Sequence, residues 1–513
     1  MGVPTEIRQV KRPRNTVVVD RGENHFLRYA VRERAGTVCK PGHNPQPRNG
    51  RTIGHIINGT YVPVGPTRMT KKSPEWLSYG SSALVESQSR DILKDLLNVF
   101  HPCDAYKIMT IAMLKIVHPG ITHHRLSQHY NRTFTKVFYP NVFLSSNTVS
   151  NFIQFLGQNI EKCKEFYKIR IDAVCSTHHI AIDGTLKQNT SKVNSLSSYS
   201  RKSHISGCKN ISIIYAYDVN TMEPICAQVF AGNIIDAKAY RNFIISNNIK
   251  KGVIITDKGF PPSQIKDILS KYENIHFMTP LKRNDKRIIN NNVLCFDGIL
   301  SGVERRVLYK KVKINNNLFL YSFRDASRAQ KEENNYLDKI RKNSNYDKKE
   351  YTQKIKYFGT IVFLSDIDMT PEDAWHCYED RWMIELVFDY YKNVLFLYET
   401  RVQSEASIWG EEFINFISTL ITCRIIRKSE KLNLFEKMTY GEMMEDLEHV
   451  LRPVEKYKIN EIPAEDDENW MNTTDAAMKI LIAHGLAKPS VLPIPEPKKR
   501  GRRKTRPDFV GPK

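Results

Sequence analysis

The sequence predicts an α/β fold built on one open sheet with helices packed against it, and three observations carry that reading. Between residues 179 and 280 the segments follow the order strand, strand, strand, helix, strand, helix, strand. Two of those strand-like runs stop at an aspartate, Asp183 and Asp257. In the run 378–392 the residues Tyr378, Arg381, Glu385 and Lys392 stand three, four and seven positions apart, a helical interval.

Taken in chain order, residues 1–80 are rich in Gly, Pro, Arg and Lys, with β-like runs such as 53–64 and a cationic knot at Lys11-Arg12-Pro13-Arg14. A loosely ordered basic arm with one hairpin, suited to lying along nucleic acid, is expected. Residues 81–168 show helical periodicity over 93–100, 106–117, 122–130 and 147–165. His118-Pro119-Gly120 breaks the series, and Thr122 stands at a cap position. Ser146-Asn147-Thr148-Val149-Ser150 opens the last helix with small polar groups, as a groove-reading helix does. This region reads as a helical DNA-binding domain; a plain helical spacer is the alternative, since most helices begin with polar residues.

Residues 169–282 carry the α/β pattern. A short run ends in Asp183-Gly184-Thr185, and runs 210–218 and 224–230 flank the turn Val219-Asn220-Thr221-Met222 as antiparallel strands. Asp236 is placed to cap a helix reaching residue 245. An apolar strand then ends in Asp257-Lys258-Gly259-Phe260, followed by a helix over 262–271 and a strand over 275–280. That order is the one expected of an RNase-H-like sheet. Its first and fourth strands are neighbours, so Asp183 and Asp257 are expected side by side, where ligands gather at strand ends. Each aspartate alone is also an ordinary turn-former.

Residues 283–365 form a basic, β-rich insertion, and 366–430 return to the core. Thr370-Pro371-Glu372-Asp373 caps the next helix, with Pro in its first turn. On one continuous α-helix, Tyr378, Arg381, Glu385 and Lys392 share an arc of roughly 60°, while Met383, Ile384, Val387 and Phe388 cover other sides. Charges on a buried helix need partners or a ligand, so this face reads as half of a site. A solvated i,i+4 pair between Arg381 and Glu385 is the plainer reading. Asp389 and Trp382, near the same face, are expected to serve structure. A C-terminal helical region spans 431–490. The tail 491–513 holds seven cations within the nine residues 498–506, and is expected to be disordered until it meets phosphate. Its Arg500-Gly501-Arg502 resembles an AT-hook, but Arg503 stands where that motif has Pro.

Lys and Arg number 77 against 55 Asp and Glu, a net charge of +22 in 513 residues. Such an excess points to a polyanionic partner. Nine cysteines without Cys-x-x-Cys spacing argue against a zinc ribbon or disulfide framework. They suit a reducing compartment. The adjacent pairs His123-His124 and His178-His179 suit structural or phosphate-contacting roles better than metal ligation. No apolar stretch is long enough to span a bilayer, and no signal-peptide core is present. A soluble intracellular protein is expected.

Three carboxylates in a basic protein suit hard divalent cations. Here the chain resembles the DDE transposases of the prokaryotic cut-and-paste insertion-sequence type, whose third acid lies in a Tyr-x2-Arg-x3-Glu-x6-Lys signature. Tyr378, Arg381, Glu385 and Lys392 match that spacing, Asp183-Gly184-Thr185 the first-acid motif, and Asp257-Lys258-Gly259-Phe260 the second, with Lys for the commoner Arg. The likeness covers about 84–430. It implies that Asp183, Asp257 and Glu385 bind two Mg²⁺ or Mn²⁺ ions, a clamp for in-line attack on a phosphodiester. It implies that Arg381 and Lys392 hold phosphates of the transposon end, and that Tyr378 touches backbone or a base near the cut; packing is an equal reading for that phenol. The partners it implies are double-stranded DNA, as terminal inverted repeats and target, and a second copy of the chain in the DNA complex. The location it implies is the prokaryotic cytoplasm, with the nucleoid. A transposase-derived regulator and a metal-dependent nuclease without strand transfer are the alternatives.

Overall fold

A computed structural model describes residues 2–490 apart from 24, 26, 39–41, 43, 65–74, 190, 192, 202, 204–206, 235, 257–271, 273, 316 and 344–345. The basic tail and the second-acid motif with its following helix therefore lie outside the described residues. The chain divides between Glu75 and Trp76 into two compact units.

The first unit is more ordered than an arm with one hairpin. Strands β1 (Thr16–Asp20), β2 (Tyr29–Val38), β3 (Gln46–Ile57) and β4 (Thr60–Pro63) form an antiparallel meander in sequence order. Asn58 and Gly59 both adopt positive φ, the conformation a two-residue hairpin turn needs to follow the strands' twist. Val18, Val31 and Ile56 make a small core against Val3, Ile7 and Val10, which surround the short helix Thr5–Gln9. The Arg12 guanidinium donates to the Arg8 and Val10 carbonyls. The arginines interrupting the apolar alternation are what hid these strands in the sequence.

The second unit begins with β5 (Trp76–Ser78), paired antiparallel with β17 (Leu451–Pro453) near the other end of the described chain. Helices follow at Gly80–Ser87, Arg90–Val99, Pro102–Val117, Leu126–Tyr130, Ser146–Gln158 and Ile160–Ala173. Pro102 occupies a first-turn position where its missing N–H is not needed, and the His101 ring accepts from the Cys103 N–H. Ser145 caps Ser146–Gln158 by accepting from the Thr148 N–H. The helix expected over 147–165 is two helices, broken at Asn159. Thr122 makes no capping bond.

These helices share one hydrophobic core with the sheet and with the 27-residue helix Glu405–Lys431. Ser146–Gln158 crosses that helix at backbone distance: a Cβ on Gly157 would stand 1.7 Å from the Ala406 carbonyl oxygen, and one on Gly410 would stand 1.9 Å from that of Ile153. Its opposite side, Asn147, Ser150, Asn151 and Gln154, is exposed.

The large sheet comprises β6 (His179–Asn189), β7 (Ser198–Tyr199), β8 (Lys209–Asp218), β9 (Glu223–Ala231), β10 (Lys251–Thr256), β11 (Asn274–Pro280), β12 (Gly298–Ile299), β13 (Val307–Asn315), β14 (Leu318–Asp325), β15 (Thr360–Ser365) and β16 (Glu399–Thr400). Its central order is β9-β8-β6-β10-β11, with β8 antiparallel to β6 and β9, and β10 parallel to β6 and β11. The segment expected as an insertion does not build a sheet of its own. Strand β15 pairs antiparallel with β11, and β14, β13 and β12 extend the same sheet outward. Asp218 shapes the β8–β9 turn by accepting from the Asn220 and Thr221 N–H groups.

Two expectations need correction. Strand β6 does not stop at Asp183; it continues six residues to Asn189 in register with β8. Its second half carries Thr185, Lys187 and Asn189 inward, so the polarity that read as a turn belongs to buried groups with partners. The run 378–392 is also not one α-helix. Pro371–Asp380 ends, Arg381 and Trp382 form a turn, Met383–Asp389 resumes, and Tyr390–Val394 is a π-helical turn. Among the described residues, no helix is long and apolar enough to cross a membrane, and the eight described cysteines are free thiols.

Candidate active site

Asp183 sits in the middle of the central strand. Its Oδ1 accepts from the Tyr240 hydroxyl at 2.9 Å and from the Gly184 N–H at 2.7 Å. Tyr240 is a buried residue of the helix Asp236–Ser246, so the carboxylate's orientation is set by a rigid neighbour. Next to it, β10 runs parallel in a register that pairs Val253 with His179 and Thr256 with Ile182. Thr256 is the last described residue of that strand. Asp257 follows it, outside the described residues.

Glu385 lies on Met383–Asp389, which packs against β6. Its side chain is 46% exposed, and Arg381 approaches its Oε1 only to 3.9 Å. Arg381 itself is buried. Its guanidinium lies 4.8 Å from the Trp382 ring centroid and 5.9 Å from that of Tyr378, and its Nε has no acceptor.

Tyr378 is buried, with one side of its surroundings formed by the core. Its ring packs at 4.8 Å against Phe363 and 5.8 Å against Trp375, within a second apolar cluster under β14 and β15. Lys392 is half-buried in the π-helical turn, where burial draws its ammonium below the ordinary lysine value. The structure thus brings Arg381 and Glu385 together and leaves Tyr378 in the core. Trp382, expected to serve structure, is 48% exposed.

A buried polar network was not read from the sequence. Lys187 of β6, on the same strand face as Asp183, donates to Glu412 at 2.7 Å and to the Tyr391 hydroxyl at 2.9 Å. Tyr391 in turn donates to Glu412 at 2.6 Å. Asn415 bridges Glu412 to Lys115, which pairs with Glu411, and His123 reaches Glu411 at 3.1 Å. Burial alone would raise the Glu411 carboxyl; Lys115 and His123 outweigh it and hold the group well below the usual carboxylate range. The network fastens the π-helical turn, and with it the end of the Glu385 helix, to the Asp183 strand and to Glu405–Lys431. Its signal in the sequence is only Lys115 amid apolar residues, which does not name a partner more than two hundred residues away.

His178, the partner of Asp218 at 2.7 Å, is likewise structural. Among the described residues, no three His, Cys, Asp or Glu side chains form a metal-holding group.

The comparisons meet this geometry at one place. Residues 175–421 match the transposase DDE domain family. The matched segment runs from just before β6 into Glu405–Lys431, and contains Asp183, Asp257 and Glu385. No curated protein matches this chain. Among solved structures, the piggyBac transposase synaptic complex with hairpin DNA, determined by cryo-EM, aligns with a TM-score of 0.37 at 12% identity, over 72% of this chain and 80% of that one.

Proposed function

We propose that this chain is a transposase that cuts DNA at the ends of a mobile element and joins the freed 3′-hydroxyl to target DNA. The observation that carries this reading is the DDE match across 175–421, together with Asp183 on the central strand and Glu385 on a helix packed against that strand. The central order β9-β8-β6-β10-β11 supports an RNase-H-like core. The pairing of Thr256 with Ile182, each one residue before an aspartate, supports placing Asp257 beside Asp183.

Asp183, Asp257 and Glu385 would hold two divalent cations, Mg²⁺ or Mn²⁺. The fit rests on donor chemistry: hard cations take carboxylate oxygens, Asp183 is oriented by Tyr240, and the Glu385 side chain is half exposed. When bound, such ions activate the attacking oxygen and stabilise the leaving one. The protein's own groups do the rest. Tyr240 keeps the Asp183 carboxylate aimed, and the Lys187–Tyr391–Glu412 network holds the Glu385 helix on the strand. Lys392, without a carboxylate partner among the described residues, is placed to meet a backbone phosphate, which would restore the charge that burial disfavours. The match of Tyr378, Arg381, Glu385 and Lys392 to the insertion-sequence signature supports the prokaryotic cut-and-paste type, with action as a dimer on duplex ends in the nucleoid. The net charge of +22 supports a DNA partner.

The test is Mg²⁺-dependent cleavage of the DNA flanking the coding sequence, with wild type and Asp183→Asn compared. Site-specific cutting by the wild type alone supports the reading. Specific binding without cutting moves the protein to a regulator, and cutting without joining moves it to a nuclease.

A further inference from the structure

The longest hairpin of the first unit outruns its core. Strand β1 accompanies β2 only as far as Glu33, and β4 accompanies β3 only as far as Gly54. Beyond those points β2 and β3 have only each other, from Arg34 opposite Asn49 to Val38 opposite Gln46. A stretch of that length rises about 17 Å. The core residues Val18, Val31 and Ile56 all lie outside it. A ribbon of two strands with no third strand and no packed face adds little stability of its own.

Its charge is one-sided. Arg34, Arg48, Asn49 and Arg51 are all exposed. Arg51 pairs with Glu33, while Arg34 and Arg48 have no ion-pair partner among the described residues. Asp20 and Glu23 are drawn instead to Arg28, ahead of the other end of β2. Arg34 and Asn49 are direct cross-strand partners, so their side chains leave the same face of the ribbon.

Several partners take cations, and the residues choose among them. From Arg32 to Thr52 the chain holds no Phe, Tyr or Trp. Nothing there can stack on the bases of a single strand or anchor in a lipid surface. A duplex requires neither. Its phosphates take guanidinium groups, and its major groove, about 12 Å wide and about 8.5 Å deep, admits a two-stranded ribbon. Arginine matches the O6 and N7 edge of guanine, and asparagine the N6 and N7 edge of adenine. Both types stand side by side here. Charge on strand rims also deters sheet edges from pairing with other chains, a use in which DNA affinity would not depend on these side chains.

We propose that the β2–β3 ribbon enters the major groove of duplex DNA, with Arg34 and Asn49 toward base edges and Arg48 toward the phosphate backbone. The proposal rests on the reading above for its DNA partner alone and does not depend on cleavage.

The full chain, without divalent metal, selects from a pool of duplexes with a randomised centre, and the selected duplex is titrated at several salt concentrations. Arg34→Ala is expected to weaken binding by about 10-fold and to lose the preference at one base pair. Replacing guanine there by 7-deazaguanine removes a major-groove acceptor. It should weaken the wild type equally and add nothing to Arg34→Ala. Arg34→Lys, which keeps the charge but not the fork, should retain the salt dependence and still lose the guanine preference; it decides the matter if the Ala variant melts early. Arg48→Ala should keep the selected sequence and lower the slope of log affinity against log salt by about one. A selection unchanged by Arg34→Ala, a wild type indifferent to 7-deazaguanine, or an unchanged slope in Arg48→Ala would overturn the proposal. Cleavage by the wild type and its loss in Asp183→Asn are read separately. Ribbon-dependent binding without cleavage would sink the transposase reading and keep the ribbon, whereas cleavage with binding blind to the ribbon would do the reverse.

Discussion

Two ion pairs of the second unit differ in nearly every respect. Lys187 and Glu412 are 2% and 5% exposed, meet at 2.7 Å, and are further satisfied by Tyr391 and Asn415. Arg381 and Glu385 stand 3.9 Å apart, with the arginine buried and the carboxylate half in solvent. A carboxylate whose lone pairs are all engaged by buried donors has none left for a ligand, and removing its partner strands a charge. An ion pair with one partner half in solvent contributes little to stability, and its exposed carboxylate can be reached from solvent. The first pair reads as architecture and the second as chemistry, although both are acid–base pairs within the same matched segment.

The sharpest way to break this comparison is Glu385→Gln. DNA cleavage should fall by about 10³-fold or more, the scale of several kcal/mol of lost charge stabilisation, with unfolding midpoints unchanged. A cutting Gln variant, or one that unfolds early, would erase the distinction. Lys187→Met should do the opposite, destabilising the fold by about 3–5 kcal/mol by leaving Glu412 buried and unpaired. Denaturant unfolding measures this, and a double variant Lys187→Met/Glu412→Leu should recover much of the loss. Gly157→Ala probes the backbone crossing that carries the Glu411–Glu412 helix and should cost about 1–3 kcal/mol, read as a lower unfolding midpoint.

The smallest effect concerns pH. Burial, then Lys428, lowers His484 to about 4. A histidine depressed in the folded state binds its proton more readily unfolded. It therefore withdraws stability as pH falls from about 6.5 toward that folded value, by at most about 1.4 kcal/mol per pH unit. His484→Gln should make the stability profile shallower across that window. Glu411 has the same sense in a more acidic window: its lowered carboxyl contributes stability above the ordinary carboxylate range, and that contribution drains only as pH falls toward its folded value.

Much of the candidate site was legible because its signals are local. The helical spacing of Arg381 and Glu385, the apolar runs that became β8 to β11, and the first-turn proline at 371 depend on neighbours within a few residues. The errors arose where polar residues face inward. The run ending in Asp183-Gly184-Thr185 reads as a strand end because polar residues are frequent from there to Asn189, and the first unit's strands are masked by arginines between apolar positions.

Taken by itself, the sequence determined the local tendency to strand or helix and the basic character, and it offered the acids at 183, 257 and 385 as candidates. Periodicity, capping and charge are properties of short segments, so the residues carry them wherever they fold. Only the tertiary structure decided that β15 would join β11 and fuse the expected insertion into one sheet. It also decided that Trp382 stays exposed while Arg381 is buried, and that Lys187 finds Glu412 at a separation of 225 residues. Those outcomes depend on which surfaces meet, and a buried charge becomes tolerable only once its distant partner has arrived.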